Sequence, residues 1–144
     1  MHYPTDLFIA SAQDVRKLDV SQSPVGRLPG FQADMVDPVK LAELLCCVDG
    51  SRFEDHFEWL ESSTVRQDNP NDPAIFETPP GLTELLAKAQ PAELDEYAQA
   101  WAETGQWIAD GGTPEVTLPI VFCLAELSRR AQSEGKKVYV WMCV

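Results

Sequence analysis

Glu54, Glu58 and Glu61 are spaced four and three residues apart, inside a segment that also contains Asp55, His56 and Trp59. Residues three and four apart are neighbours on a helix surface. A helix over Arg52–Ser62 therefore gathers the three carboxylates into one row, beside an apolar row of Phe53, Phe57 and Leu60. Like charges at this spacing repel by about 0.2–0.5 kcal/mol per pair. Such a row can stay solvated, receive a basic protein, or hold a divalent cation loosely. The cation is disfavoured, because Ca²⁺ prefers oxygen ligands from a loop and the chain has no D-x-D-x-D-G pattern. Trp59 and Trp107 are the candidate aromatic anchors, since indoles dominate many contact surfaces. Trp107 lies with Ile108 between Gly105 and Pro114, where it edges a pocket or an interface or covers the end of the core. A second acidic cluster is Glu93, Asp95, Glu96 and Glu103.

Other chemistry is thinly supplied. The chain has no P-loop, no G-x-G-x-x-G, no H-E-x-x-H and no G-x-S-x-G. It has 2 histidines, so imidazole catalysis rests on His56. A neighbouring carboxylate would orient His56 as a general base, but a plain helix histidine beside acids accounts for the same residues. No second histidine or cysteine stands at ligand spacing from it, so no metal is expected, and no motif asks for a cofactor. Cys46, Cys47, Cys123 and Cys143 sit among apolar neighbours without a C-x-x-C. They read as buried, reduced thiols of a cytoplasmic protein.

The elements that must position these residues follow from periodicity and punctuation. Leu7-Phe8-Ile9-Ala10 is a continuous apolar run, the pattern of a strand covered on both faces. Ser11 caps a short helix to about Leu18. Residues 19–36 contain Pro24, Gly26, Pro29 and Gly30 and form a long loop. Asp37-Pro38 starts a helix whose stripe is Leu41, Leu44, Leu45 and Val48, stopped at Gly50. After the Arg52–Ser62 helix, residues 63–73 are a polar loop, and Ala74–Glu77 form a short strand ended by Pro79-Pro80. Leu82, Leu85, Leu86 and Ala89 mark one helix; Leu94, Tyr97, Ala98 and Trp101 mark the next, which begins at Pro91. A long helix should start near Thr117, placing Pro119 in its first turn. Ile120, Cys123, Leu124, Leu127 and Ala131 give its stripe, and Gly135 its stop. Val138–Val144 is β-branched and aromatic, the composition of a buried strand. The expected fold is α+β: one domain over residues 1–144, with five or six helices on a small sheet that includes both terminal strands.

Charge and length narrow the function classes. The 144 residues carry 11 basic and 23 acidic side chains, a formal net charge of −12. Proteins that hold nucleic acid through its phosphates need a basic surface, and anionic lipid repels an acidic one. Neither partner is expected. No run of 18 apolar residues is present, and the start, Met1–Asp6, lacks the basic and apolar regions of a signal peptide.

The strand ending in a proline pair (Ile75–Pro80), the Leu-rich and aromatic-bearing helices over Leu82–Trp101, and the long helix running into Glu134-Gly135-Lys136 and a terminal strand form a recognisable order. With the Asp37-Pro38 helix start, this order resembles small bacterial proteins of uncharacterised families. The resemblance implies a bacterial origin and carries no activity. The residues themselves favour a non-catalytic module that binds a basic protein, as an immunity or inhibitor protein does, through Glu54, Glu58, Glu61, Trp59 and Trp107. The alternative is a small-molecule-binding protein or enzyme using Asp, Glu or Tyr in a pocket near the 19–36 and 105–114 loops.

Overall fold

The run Leu7-Phe8-Ile9-Ala10 has no polar position because both of its faces are covered. Successive strand side chains point to opposite faces. Leu7 and Ile9 join the larger core cluster, while Phe8 and Ala10 join a second one across the sheet. The computed structural model describes residues 2–143. Its strands are β1 (Thr5–Ala10), β2 (Gly30–Phe31), β3 (Thr64–Arg66), β4 (Ala74–Glu77) and β5 (Lys137–Met142). Its helices are α1 (Ala12–Lys17), α2 (Pro38–Asp49), α3 (Phe57–Ser62), α4 (Leu82–Lys88), α5 (Pro91–Ala102), α6 (Gly105–Ala109) and α7 (Pro114–Glu134). A 3-10 turn over Phe53–His56 precedes α3.

The class is α+β. The strands form one antiparallel sheet in the order β2-β1-β5-β4-β3. β1 and β5 pair along six residues, from Thr5 opposite Met142 to Ala10 opposite Lys137, so the first and last strands lie side by side in its interior. Val138 and Val140 of β5 face the helical side, and Tyr139 and Trp141 face the other. On the helical side, α2, α4, α5, α6 and α7 bury Leu41, Leu44, Leu86, Trp101, Trp107 and Leu124 against the sheet. On the far side, Val15 of α1, with Val20 and Leu28 from the loop after it, covers Phe8, Tyr139 and Trp141. The Trp141 indole N–H donates to the Val20 carbonyl at 2.8 Å.

Local chemistry sets the boundaries. The Asp14 N–H donates to Ser11 Oγ at 3.0 Å and so caps α1. Asp37 accepts from the Lys40 N–H at 2.9 Å, with Pro38 at the first helical position of α2. Gly50 ends α2 at φ 73°, a conformation that carries a steric cost for other residues.

Five expectations change. First, the Arg52–Ser62 segment is not one helix. The Asp55 N–H donates to the Arg52 carbonyl at 3.0 Å, closing a 3-10 turn that Asp55 Oδ2 caps by accepting from the Arg52 N–H at 3.0 Å, and His56 at φ −108°, ψ 3° separates it from α3. The 3.6-residue register breaks there, so Phe57 is 51% exposed instead of facing the core, while Phe53 and Leu60 are half-buried. Second, α7 starts three residues earlier than expected, at Pro114, whose fixed φ suits the first position. Pro119 then lies inside the helix, and only the Glu115 carbonyl loses a helical donor. Its stripe is Thr117, Val121, Leu124, Ala125, Leu127, Ser128 and Ala131; Ile120 is half-buried and Cys123 exposed. Third, the other three cysteines are half-buried. Fourth, the described residues form seven helices instead of five or six, because the segment after Thr104 winds into α6. Fifth, two loops hold the short edge strands β2 and β3.

β2 sits so close to β1 that a Cβ on Gly30 would lie 2.2 Å from the Leu7 carbonyl oxygen. The nearest atoms are β1 backbone, the Leu7 carbonyl oxygen and the Phe8 Cα, so no flexible side-chain end can yield. Gly30→Ala should lower stability by about 1–3 kcal/mol, read as a lower urea midpoint at unchanged slope.

Candidate functional site

Two places gather the chemistry, and they differ in kind. The first is the exposed segment predicted from the carboxylate row. Glu54, Glu58 and Glu61 are all exposed. Glu54 belongs to the 3-10 turn and the other two to α3, so the row is interrupted between Glu54 and Glu58. α3 has no buried residue. Phe57 stands out from it and meets Phe53 edge to face, with centroids 5.5 Å apart. Trp59 is half-buried, its indole nitrogen covered and without a protein partner.

Beside this segment, Ser51 Oγ lies 2.8 Å from His56 Nε2. That is nucleophile-to-base distance, and the same hydroxyl has a second partner. Ser51 Oγ donates to Asp49 Oδ1 at 2.5 Å, which also accepts from the Ser51 N–H at 2.9 Å. A hydroxyl has one proton, so Ser51 can give it to Asp49 or to His56, and the His56 tautomer sets which. Cys46 Sγ is 3.8 Å from the same hydroxyl. Burial pushes the Cys46 thiol up, and pushes Cys47 up to about 11. Neither is a ready thiolate at neutral pH.

The second place is a buried knot around Lys40. Lys40 lies on the buried side of α2, and its side chain is 0% exposed. Its ammonium donates to the Met35 carbonyl at 2.8 Å and to Asp110 Oδ2 at 2.5 Å. It also lies over the Trp107 ring, 4.3 Å from the centroid, where the ring quadrupole attracts a cation. The Lys40 carbonyl accepts from the Trp101 indole at 2.7 Å, and Trp101 meets Trp107 edge to face at 5.4 Å. One turn earlier, Asp37 accepts the Tyr3 hydroxyl at 2.5 Å. Burial, then the Asp37 hydrogen bond and nearby carboxylate charge, raise the Tyr3 pKa. The hydrogen bond from Lys40 holds the Asp110 carboxyl below its ordinary range.

Above this knot lies a cleft of about 330 Å³, between residues 32–35 and the α6–α7 junction. Met35, Trp107, Val116 and Ile120 give it apolar walls, and Asp34 and Asp110 supply carboxylates. Asp110 is 36% exposed there. Gly112 closes over Trp107, where a Cβ would come within 2.5 Å of the ring. The structure thus brings the 19–36 and 105–114 segments together around a cavity. Trp107 is 0% exposed. It edges this cleft as part of the core and offers no outward surface, unlike Glu54, Glu58 and Glu61. No group of three or more His, Cys, Asp or Glu side chains able to hold a metal ion occurs among the described residues. No family model, curated protein or solved structure matches the chain.

Sequence reasoning missed Lys40, Asp110, Tyr3 and Phe57. Lys40 precedes Leu44 by four residues, so it occupies a position of the apolar stripe; a lysine there signals a buried ammonium with a partner. Nothing in the sequence pointed to Asp110 as that partner.

Removing Asp110 leaves a buried ammonium poorly compensated, whereas removing the ammonium leaves a carboxylate that water reaches. Asp110→Ala should therefore lower the urea midpoint more than Lys40→Met. Stability should also fall at both ends of the pH scale. Asp110 has a depressed folded pKa, so its contribution is present above its ordinary 3.8 and is lost as pH falls further. Tyr3 has a raised folded pKa, so above its ordinary 10.0 the unfolded chain loses the proton first and unfolding becomes easier. Urea midpoints against pH should show both limbs, with Tyr3→Phe flattening the alkaline one.

Proposed function

We propose that this chain is a non-catalytic binding module that receives a basic protein on the Phe57 face, in the manner of an immunity or inhibitor protein. The exposed Phe57 carries this reading: a large aromatic side chain, 51% exposed, flanked in sequence by Glu54, Asp55, Glu58 and Glu61. An apolar anchor fills a pocket on the partner, and surrounding carboxylates steer the encounter and set orientation. The net charge of −12 extends that attraction and repels acidic competitors. Trp59 lies on the same helix, half-buried.

Phe57→Ala and the pair Glu58→Lys with Glu61→Lys change side chains that the fold does not bury. Both variants should keep the wild-type urea midpoint. In affinity capture from the native cell, wild type should retain a protein of basic isoelectric point, and both variants should lose it. Phe57→Ala should weaken binding of that purified protein roughly tenfold, and wild-type association should slow with added salt. Retention equal in all three forms, or no basic protein retained, would reject the reading.

A second reading, small-molecule binding, is favoured by the cleft between residues 32–35 and the α6–α7 junction.

A further inference from the structure

We propose that the outer edge of β2 takes an extended segment of another protein as a sixth strand of the five-stranded sheet, a segment apolar at alternate positions and without acidic side chains. It uses none of the residues of the Phe57 face. Two clefts carry the proposal. One lies between Pro29, Phe31 and Cys123, Leu127, the other between residues 32–35 and Val116, Ile120. As the first wall runs from residue 29 to 35, the second runs back along α7 from Leu127 to Val116, so the two clefts are the ends of one groove. Val116, Ile120, Cys123 and Leu127 recur every three or four residues and form one seam of the helix. The seam is about 16 Å long, the reach of about five extended residues.

The backbone of the first wall sets what fits. The Pro29 carbonyl accepts from the Ile9 N–H at 2.9 Å and the Ala33 carbonyl from the Thr5 N–H at 3.0 Å. The Met35 N–H donates to the Tyr3 carbonyl at 2.9 Å, and Phe31 stands opposite Leu7. These alternate positions face β1. The positions between them, Gly30, Gln32 and Asp34, aim their N–H and C=O groups away from the sheet. All three residues are exposed, and Gln32 and Asp34 make no backbone hydrogen bond among the described residues. An alternating row of donors and acceptors is matched by another extended backbone. The opposite edge of the sheet is blunted. β3 carries a register shift between Thr64 and Arg66, and the Arg66 guanidinium is bound to the Val15 and Arg16 carbonyls.

Charge selects among extended segments. Neither residues 29–33 nor α7 from Val116 to Ala125 carries a charged side chain, so an ionised residue in the middle of the segment would lack a counter-charge. A second copy would bring together two chains of net charge −12, and an acidic segment would meet the same field. A neutral or basic segment avoids that repulsion and lays its apolar side chains toward the α7 seam.

The probe is the peptide acetyl-Lys-Val-Thr-Val-Thr-Val-Lys-amide, titrated into the ¹⁵N-labelled full chain. It should shift the amides of residues 29–35 and slow hydrogen exchange at Gly30, Gln32 and Asp34 roughly tenfold or more. The valine and threonine N–H groups lie on opposite edges of the extended peptide. N-methylation of the valines or of the threonines should therefore abolish binding in one case and spare it in the other. The peptide with glutamates in place of the lysines should bind roughly tenfold more weakly at low salt. Cys123→Trp, which fills the seam from an exposed position, should abolish the shifts at an unchanged urea midpoint. Gln32→Pro, which removes an outward N–H and no bond to β1, should weaken binding roughly tenfold. Binding that survives both methylations, or shifts without slowed exchange, overturns strand addition. So does the absence of any shift at residues 29–35. A dimer mass with the three outward amides already protected in the free chain assigns the edge to a second copy and overturns it too. Each of these results leaves the Phe57 reading standing.

Discussion

An ammonium group with no access to water is the constraint from which most of the helical side follows. Removing a charge from water is expensive unless partners replace its hydration, and Lys40 has three. Each comes from a different stretch of chain: the Met35 carbonyl, the Asp110 carboxylate and the Trp107 ring. Meeting that demand fixes the approach to α2 against the α6–α7 junction. It also accounts for Met35, the one non-glycine residue among those described with positive φ, at 60°. A left-handed conformation costs such a residue about 1 kcal/mol. That cost is offset where the Met35 carbonyl meets the ammonium and its N–H meets the Tyr3 carbonyl at 2.9 Å.

The same demand divides the acidic side chains into two populations. Asp6, Asp37 and Asp110 are held by named donors: Ser23 and the Ala33 N–H for Asp6, Tyr3 and the Lys40 N–H for Asp37, and the ammonium for Asp110. These carboxylates tie separate stretches of chain together. Glu54, Glu58 and Glu61 are exposed on elements that bury nothing. A surface helix without a core face contributes little to folding, which leaves the Phe57 segment free to carry a different requirement from the rest of the chain.

The sheet's interior was legible because continuous apolar runs at Leu7–Ala10 and Val138–Trp141 suit a strand covered on both faces and little else. Asp37-Pro38 and Gly50 marked α2 for an equally local reason: capping chemistry acts within one turn. Legibility failed where a competing local bond or a distant partner decided. Phe53, Phe57 and Leu60 match a helical stripe, yet the chain winds into a 3-10 turn over Phe53–His56, which shifts the register and turns Phe57 outward. The carboxylate row was legible as residues and its interruption was not. The Lys40 pair spans 70 residues, a separation at which charge and spacing carry no information about who meets whom. The cleft was legible only as two loops rich in glycine and proline, which became one place through that pair.

β5 lies between β1 and β4, yet it follows both of them, and all seven helices, along the chain. A ribosome therefore releases β1 long before its central neighbour exists. During that interval β1 has only the two-residue β2 to pair with, and β4 only β3. Their inner edges remain open templates for other nascent chains. The helices can collapse early on local contacts, but closing the sheet must await the longest-range pairing in the molecule. Synthesis at low temperature or with a holding chaperone should thus matter more for the yield of this protein than its finished stability suggests.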